Sequence, residues 1–184
     1  MSDVPETSLV RTKHGLVPDG DGWFVLNARD AVWEENDIEG AGVGFENPDH
    51  RFPDLGIGIL VLQPGQPNCM YHGEADQEDF LVLDGECLLL VEGEERLLRR
   101  WDFVHSPPWA EHVFVGAGGG PCWILAVGGR RGKGVVYPRS ELALRHCAGV
   151  EEETRDAKEA YADVPPWRRR AYRDGDLPDY SARR

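Results

Sequence analysis

From residue 55 onward the chain is a succession of apolar runs of strand length, each stopped by turn-forming residues: 55–63, 79–83, 87–91, 96–99, 103–105, 112–115, 122–127 and 134–137. Short strands at this spacing build a sandwich or a barrel. Two hairpins can be placed directly. Asp84-Gly85 separates Phe80-Leu81-Val82-Leu83 from Cys87-Leu88-Leu89-Leu90-Val91, and Glu92-Gly93-Glu94-Glu95 separates that run from Arg96-Leu97-Leu98. Both connections carry the glycine that a tight turn with positive φ favours. The stretch Ala117-Gly118-Gly119-Gly120-Pro121 is read as the link between two strands. It is not a phosphate loop, because no Lys-Ser/Thr pair and no helix follow it.

Two clusters of donor side chains interrupt these strands. His72-Gly73-Glu74 is followed by Glu78, and His112 follows Pro107-Pro108-Trp109. On an extended chain residues two apart point the same way, so His72 and Glu74 share a face and Glu78 shares their parity. Imidazole and carboxylate together suit first-row cations such as Mn, Fe, Co, Ni or Zn. A buried carboxylate at Glu78 would also be costly without a cation or a donor beside it.

The pattern Pro64-Gly65, His72-x-Glu74-x3-Glu78-x6-Gly85 and Pro107-x4-His112 resembles the two-part signature of the cupin superfamily, over roughly residues 55 to 128. The family's first motif has a second histidine where this chain has Glu74, and the lead from Gly65 to His72 is one residue longer. In the second motif Trp109 takes the place of a glycine. The resemblance implies an all-β, double-stranded β-helix (jelly-roll) barrel and a divalent metal, Fe, Mn, Ni or Zn, at His72, Glu74, Glu78 and His112. If Glu74 ligates, two carboxylates offset the cation's charge; if it does not, His72, Glu78 and His112 form the two-histidine, one-carboxylate set of non-heme Fe(II) oxygenases. The activity implied is that of an enzyme acting on a small oxygenated molecule, dioxygenase-like first and isomerase-like second, against a non-catalytic barrel that binds or senses a small molecule such as a sugar. Cupins also commonly dimerise, so a homodimer is expected, with the N-terminal arm and the C-terminal helix as contact material.

Around the motif, Met70 and Phe114 are expected on the inward face, making the site apolar. Tyr71 and Gln77 have opposite parity and should face outward or line a rim. His105 reads as a hydrogen-bonded strand end, and Trp109 as a further candidate for ligand contact. Cys69, Cys87, Cys122 and Cys147 form no C-x-x-C pair, which excludes a zinc ribbon and a dithiol redox motif. Cys87 and Cys122 read as core thiols, and Cys69, by strand parity, should face away from His72.

The 184 residues suffice for one domain, read as an N-terminal arm with edge strands over 1–50, the barrel over 51–138 and a helical extension over 139–184. A strand is expected at 23–26, one more within the loop 36–54 at 42–46, and helices at 140–145 and 151–161, the second favoured by the acidic start Glu151-Glu152-Glu153. Arg168-Arg169-Arg170 with Arg173 reads as a solvated or intersubunit patch that pairs with acidic surface, or less simply as an anion site. No apolar run approaches the 18 or more residues of a membrane helix, and the first residues lack the basic and apolar regions of a signal peptide. A formal charge of −13 would repel phosphate backbones and anionic lipid. The expectation is therefore a cytoplasmic protein with a small-molecule ligand, without nucleic acid or membrane as partner.

Overall fold

The structure, a computed structural model, describes residues 4–180. In chain order its elements are β1 (Leu9–Arg11), β2 (Leu16–Pro18), β3 (Trp33–Asn36), β4 (Gly40–Gly44), β5 (Leu55–Leu62), β6 (Gly73–Glu74), β7 (Glu78–Asp84), β8 (Glu86–Val91), β9 (Glu94–Arg99), β10 (Phe103–Ser106), β11 (His112–Ala117), β12 (Cys122–Gly129) and β13 (Val135–Val136), then α1 (Glu141–Arg145), α2 (Ala157–Ala160) and β14 (Arg168–Arg170). One sheet runs β10-β7-β12-β5-β4-β3-β14, a second runs β11-β8-β9, and β1-β2 and β13-β6 are short pairs. Every strand pairing is antiparallel. The mostly β, antiparallel architecture with short C-terminal helices agrees with the run spacing, which predicts a sandwich or barrel, and with the jelly roll that the resemblance implies.

Alternation along the strands decides what fills the interior. Leu62 from β5, Phe80 and Val82 from β7, Cys122 and Ile124 from β12, Cys87 and Leu89 from β8 and Phe114 from β11 form one buried cluster between the two large sheets. Burying each large side chain contributes about 1.5–3 kcal/mol. Cys87 and Cys122 are free thiols in this core, as their apolar surroundings predict. The opposite faces are covered too. Tyr71, Leu90, Val113 and Val115 pack beneath Ala143 of α1 and Ala148. Trp33, Val43, Val61 and Trp123 pack against Leu26, Ala28, Tyr172 and Leu177 from the chain's two ends.

The predicted hairpins form as read. Gly85, φ 80°, joins β7 to β8 and Gly93, φ 78°, joins β8 to β9. At Gly85 a Cβ would stand 2.3 Å from the Pro121 carbonyl oxygen, so the turn requires glycine for space as well as for φ. The loop at 118–121 links β11 to β12 as expected.

Several elements differ from the sequence reading. The run 23–26 is not a strand: Trp23 makes one bridge to Glu6, and Val25 is 80% exposed, so this apolar stretch has no neighbour to pair with. The arm instead folds through β1 and β2. The helix expected at 151–161 shrinks to α2, because Thr154 leaves the helical path to pair with Tyr137, and Asp156 then caps the single turn that follows. The strand expected at 42–46 is β4, starting at Gly40. The helix at 140–145 forms with Ser140 as its cap, its hydroxyl accepting from the Ala143 N–H.

The arginine run is a strand. β14 pairs with β3 in the register Arg168↔Glu35, Arg169↔Glu34 and Arg170↔Trp33. Arg168 pairs with Asp37, Arg169 with Asp49, and Arg170 with both Glu35 and Asp176. The pairing with acidic groups was legible, but it is internal to the chain. Among the described residues no helix is long and apolar enough to cross a membrane.

Candidate metal centre

Backbone pairing brings the two halves of the motif together. His72 and His112 form an antiparallel bridge in which each backbone N–H donates to the other's carbonyl, at 3.2 and 2.8 Å. β7 delivers Glu78 to the same place, opposite Ser106 of β10. One donor atom from each of His72, Glu78 and His112 lies within 4.8 Å of the other two. His112 Nε2 is 3.3 Å and His72 Nε2 is 3.8 Å from Glu78 Oε2.

The two rings are turned so that Nε2 is the free nitrogen. His72 Nδ1 lies 2.8 Å from the Met70 carbonyl oxygen, and His112 Nδ1 lies 3.0 Å from that of Ala110 and 3.2 Å from Ser106 Oγ. A carbonyl can only accept, so Nδ1 carries the proton in both rings and the Nε2 lone pair faces Glu78. Glu78 Oε2 and His112 Nε2 are buried and have no hydrogen-bond partner. Two orphaned buried acceptors facing one point are what a cation would satisfy.

Electrostatics follows the same geometry. Burial, and then the neighbouring His112, hold the His72 imidazole below its ordinary pKa. Burial also works against a charge on His112, but the Glu78 carboxylate 3.3 Å away and the Ala110 carbonyl outweigh it and the net shift is upward. The upward shift favours a proton on His112 beside Glu78. A divalent ion replaces that proton with a larger positive charge.

Glu74 stands outside the three-residue group. It shares a face with His72, but residues 75–76 bend away between β6 and β7, so strand parity does not carry from Glu74 to Glu78. Burial, then the charges of Glu78 and Asp76, push its carboxyl up to about 7. It is a neighbouring acid that a cation at the centre would help to ionise.

The other candidates are placed as follows. Phe114 is fully buried, its ring 6.1 Å from that of His112, and Phe80 lies 5.4 Å from His112, so the site is backed by apolar rings as read. Tyr71 is buried at 2% exposure under α1 and lines no rim. Cys69 does not face away: its sulfur is 3.6 Å from His72 Nδ1, because residues 68–71 are not regular strand. Burial and the charge of Glu78 push its thiol well up, which keeps it neutral. Gln77 donates to Asp79, which also meets His105 at 2.8 Å, on the outer face of the sheet. Trp109, in the family's glycine position, adopts φ 70° and donates its N–H to the Glu74 carbonyl at 2.7 Å. With Val91, Val104, Pro107 and Leu89 it lines a groove of about 470 Å³ that reaches Ser106 and His112.

Residues 58–128 match the family described as cupin domain. The matched stretch carries His72, Glu78 and His112 and is a cupin domain. Among solved structures, the fold is similar to the polyketide cyclase RemF from Streptomyces resistomycificus, at 16% identity over 61% of this chain and 83% of that one, with a TM-score of 0.53. It is also similar to a predicted oxalate decarboxylase from Thermotoga maritima, at 15% identity over 58% of this chain and 99% of that one, TM-score 0.51. A protein from Acidithiobacillus ferrooxidans, provisionally named a sugar phosphate isomerase, is 26% identical over 52% of this chain; the match spans 63% of its length with a TM-score of 0.44. No curated protein matches the chain.

Two parts of this cupin site escape sequence reasoning. Ser106 carries a faint signal, being a hydroxyl in phase with the inward Val104 one step before the second motif. Tyr161, whose hydroxyl accepts from the Met70 N–H at 3.2 Å, gives none, since it lies 91 residues away.

Proposed function

We propose that this cupin holds a divalent metal through Nε2 of His72, the carboxylate of Glu78 and Nε2 of His112, and acts on a small oxygenated organic molecule, with dioxygenase-like chemistry first. The observation that carries the reading is the pair of buried, unpartnered atoms, Glu78 Oε2 and His112 Nε2, facing one another beside His72 Nε2. Two neutral imidazoles and one carboxylate leave a divalent ion one net positive charge and fewer protein donors than it can take. That set suits Fe(II), Mn, Ni or Zn and supplies Lewis-acid polarisation of a bound oxygen, with O2 chemistry open to iron.

The chain's own residues have defined tasks in this reading. The Ala110 and Met70 carbonyls keep each Nδ1 protonated and each Nε2 free for the metal. Phe80 and Phe114 keep water from the inner side. Glu74, its carboxyl pushed up to about 7, would hold or release a proton beside the centre, or would join as a fourth ligand and weaken the Lewis acid. Isomerase-like chemistry, which needs proton transfer without O2, would use the same group. A homodimer in the cytoplasm completes the proposal, and light scattering that finds a monomer at working concentration removes the dimer.

One observation favours a second reading, a barrel that binds a small molecule without turning it over. The groove beside Trp109 is lined by Ser106, Ala110 and His112 but by neither His72 nor Glu78, so a ligand there need not meet the metal. Oxygen consumption separates the two. Protein reconstituted with Fe(II) is offered a panel of small enolic, phenolic and hydroxy-acid compounds. Substrate-dependent O2 uptake, lost in Glu78→Ala, supports the enzyme; a compound retained on the protein and released unchanged, with no O2 consumed, supports the binding barrel.

A further inference from the structure

The loop that carries His72 is held from the far end of the chain. The Tyr71 N–H donates to the Ala148 carbonyl at 2.6 Å, and the Met70 N–H donates to the Tyr161 hydroxyl oxygen at 3.2 Å. Met70 is also the residue whose carbonyl takes the Nδ1 proton of His72, at 2.8 Å. One residue is thus gripped on its N–H side by Tyr161 while its C=O side grips the imidazole.

Tyr161 is itself firmly placed. It ends α2, where its N–H donates to the Ala157 carbonyl at 3.0 Å. Its ring meets Tyr137 edge-on, 5.7 Å between centroids at 89°, and the Tyr137 ring lies 6.0 Å from that of His72. Tyr137 is fixed in turn by a reciprocal pair of backbone hydrogen bonds with Thr154, at 2.9 and 3.1 Å. Burial keeps the Tyr161 hydroxyl neutral by pushing its pKa far upward. Tyr137, Thr154, Ala157 and Tyr161 all lie beyond the 58–128 stretch that matches the cupin family.

We propose that Tyr161 is a positioning residue of the metal centre: by accepting the Met70 N–H it fixes the carbonyl that orients His72 Nδ1, and so aims His72 Nε2 at the point shared with Glu78 and His112. The inference rests on the metal reading above. Its physical basis is that a ligand's outer hydrogen bond sets ring orientation, and that a buried N–H without an acceptor drives its loop to rearrange. A phenyl ring would keep the edge-on contact with Tyr137 but would lose the hydroxyl's hydrogen bond to Tyr137 and could not accept the Met70 bond. The C-terminal extension then has a task at the centre besides covering the sheet.

The test is titration of the metal-free protein with cobalt(II) chloride, followed by visible absorption, for wild type, Tyr161→Phe and Tyr172→Phe. Tyr172 packs on Trp33, on the outer face of the large sheet. The expected result is that Tyr161→Phe binds cobalt about ten-fold more weakly or worse, with an altered absorption band, while Tyr172→Phe matches wild type. Overturning results are an unchanged constant and spectrum in Tyr161→Phe, a loss that appears only as a lower thermal midpoint of the metal-free protein, or an equal loss in Tyr172→Phe. Wild type that takes up no cobalt overturns the metal reading and this inference together; wild type that binds while Tyr161→Phe binds equally overturns this inference alone. If Tyr161→Phe does not fold, wild-type amide exchange reads the same coupling, since linkage is reciprocal. Exchange at the Met70 N–H slows on zinc binding if Tyr161 positions His72, and an unchanged rate overturns the proposal.

Discussion

His72 and His112 are backbone partners as well as ring neighbours: each donates its N–H to the other's carbonyl, and their ring centroids stand 5.2 Å apart. The centre is thereby assembled by main-chain hydrogen bonds between segments forty residues apart, before any ion is considered. Folding supplies the geometry, and a metal adds stability by binding only the folded state. Heating scans of metal-free protein with and without saturating zinc should show a midpoint that rises with zinc in wild type and does not move in His72→Ala.

The turn at Gly85 makes a separate prediction about the fold. Its φ of 80° is a left-handed conformation, and an added Cβ would lie 2.3 Å from Pro121 O and 2.8 Å from Cys122 Cα. Gly85→Ala should lower the unfolding free energy by at least about 1–2 kcal/mol from backbone strain alone, with the clash added. Gly93→Ala, whose φ is 78° but whose Cβ meets nothing within 4 Å, should show only the backbone part. Urea titrations of the two variants check the order; equal losses would contradict the packing at Pro121.

Within the arginine strand the three guanidinium groups are not equivalent. Arg170 is nearly buried, pairs with Glu35 at 2.6 Å and Asp176 at 2.6 Å, and lies over the Trp33 ring at 5.4 Å. Arg168 is exposed and pairs with exposed Asp37. Arg170→Ala should destabilise clearly, because it leaves the largely buried Asp176 with the Arg173 N–H but no guanidinium partner, whereas Arg168→Ala, which removes an exposed pair, should change stability far less. Thermal unfolding of the two variants tests this, and similar effects would mean that the strand is held by something other than Arg170.

Glu39 gives a pH prediction away from the metal centre. It is 2% exposed, its Oε1 has no partner, and Oε2 accepts from Asn36 at 2.7 Å and Trp167 at 3.1 Å. Burial raises its pKa above the ordinary 4.5 in spite of those two donors. The folded state then holds its proton more tightly than the unfolded chain, so this group's contribution to stability falls as pH rises from the unfolded value through the folded one. In Glu39→Gln that fall is absent. The difference in unfolding free energy, variant minus wild type, should therefore grow in the variant's favour as pH rises from 4 toward neutrality, and a constant difference across that range would show that the carboxyl titrates normally.

What could be read from the sequence divides along the range of the interactions involved. The strands from Leu55 to Gly129 were legible because alternation and hairpin glycines are local signals, and the grouping of His72, Glu78 and His112 through the spacing of the motif that the chain resembles. Strand parity does not carry from Glu74 to Glu78, because the chain bends at 75–76 between them. It also fails at Cys69, whose sulfur meets His72 because residues 68–71 are not regular strand. β14 was hidden because three arginines carry no strand pattern of their own; their partners on β3 and in the turns nearby supply the reason to pair. The helix over 151–161 was cut short by the pairing of Thr154 with Tyr137, a contact that local propensity cannot report.

The central claim is that three residues hold one metal ion. Plasma mass spectrometry on protein purified without chelators, for wild type, His112→Ala and Glu74→Ala, tests it most directly. About one first-row metal ion per chain is expected in wild type, with loss in His112→Ala and retention in Glu74→Ala. Loss in Glu74→Ala as well would make the centre four-coordinate in protein ligands. Wild type that carries no metal, and takes up none when offered Fe, Mn, Ni or Zn, would contradict the account.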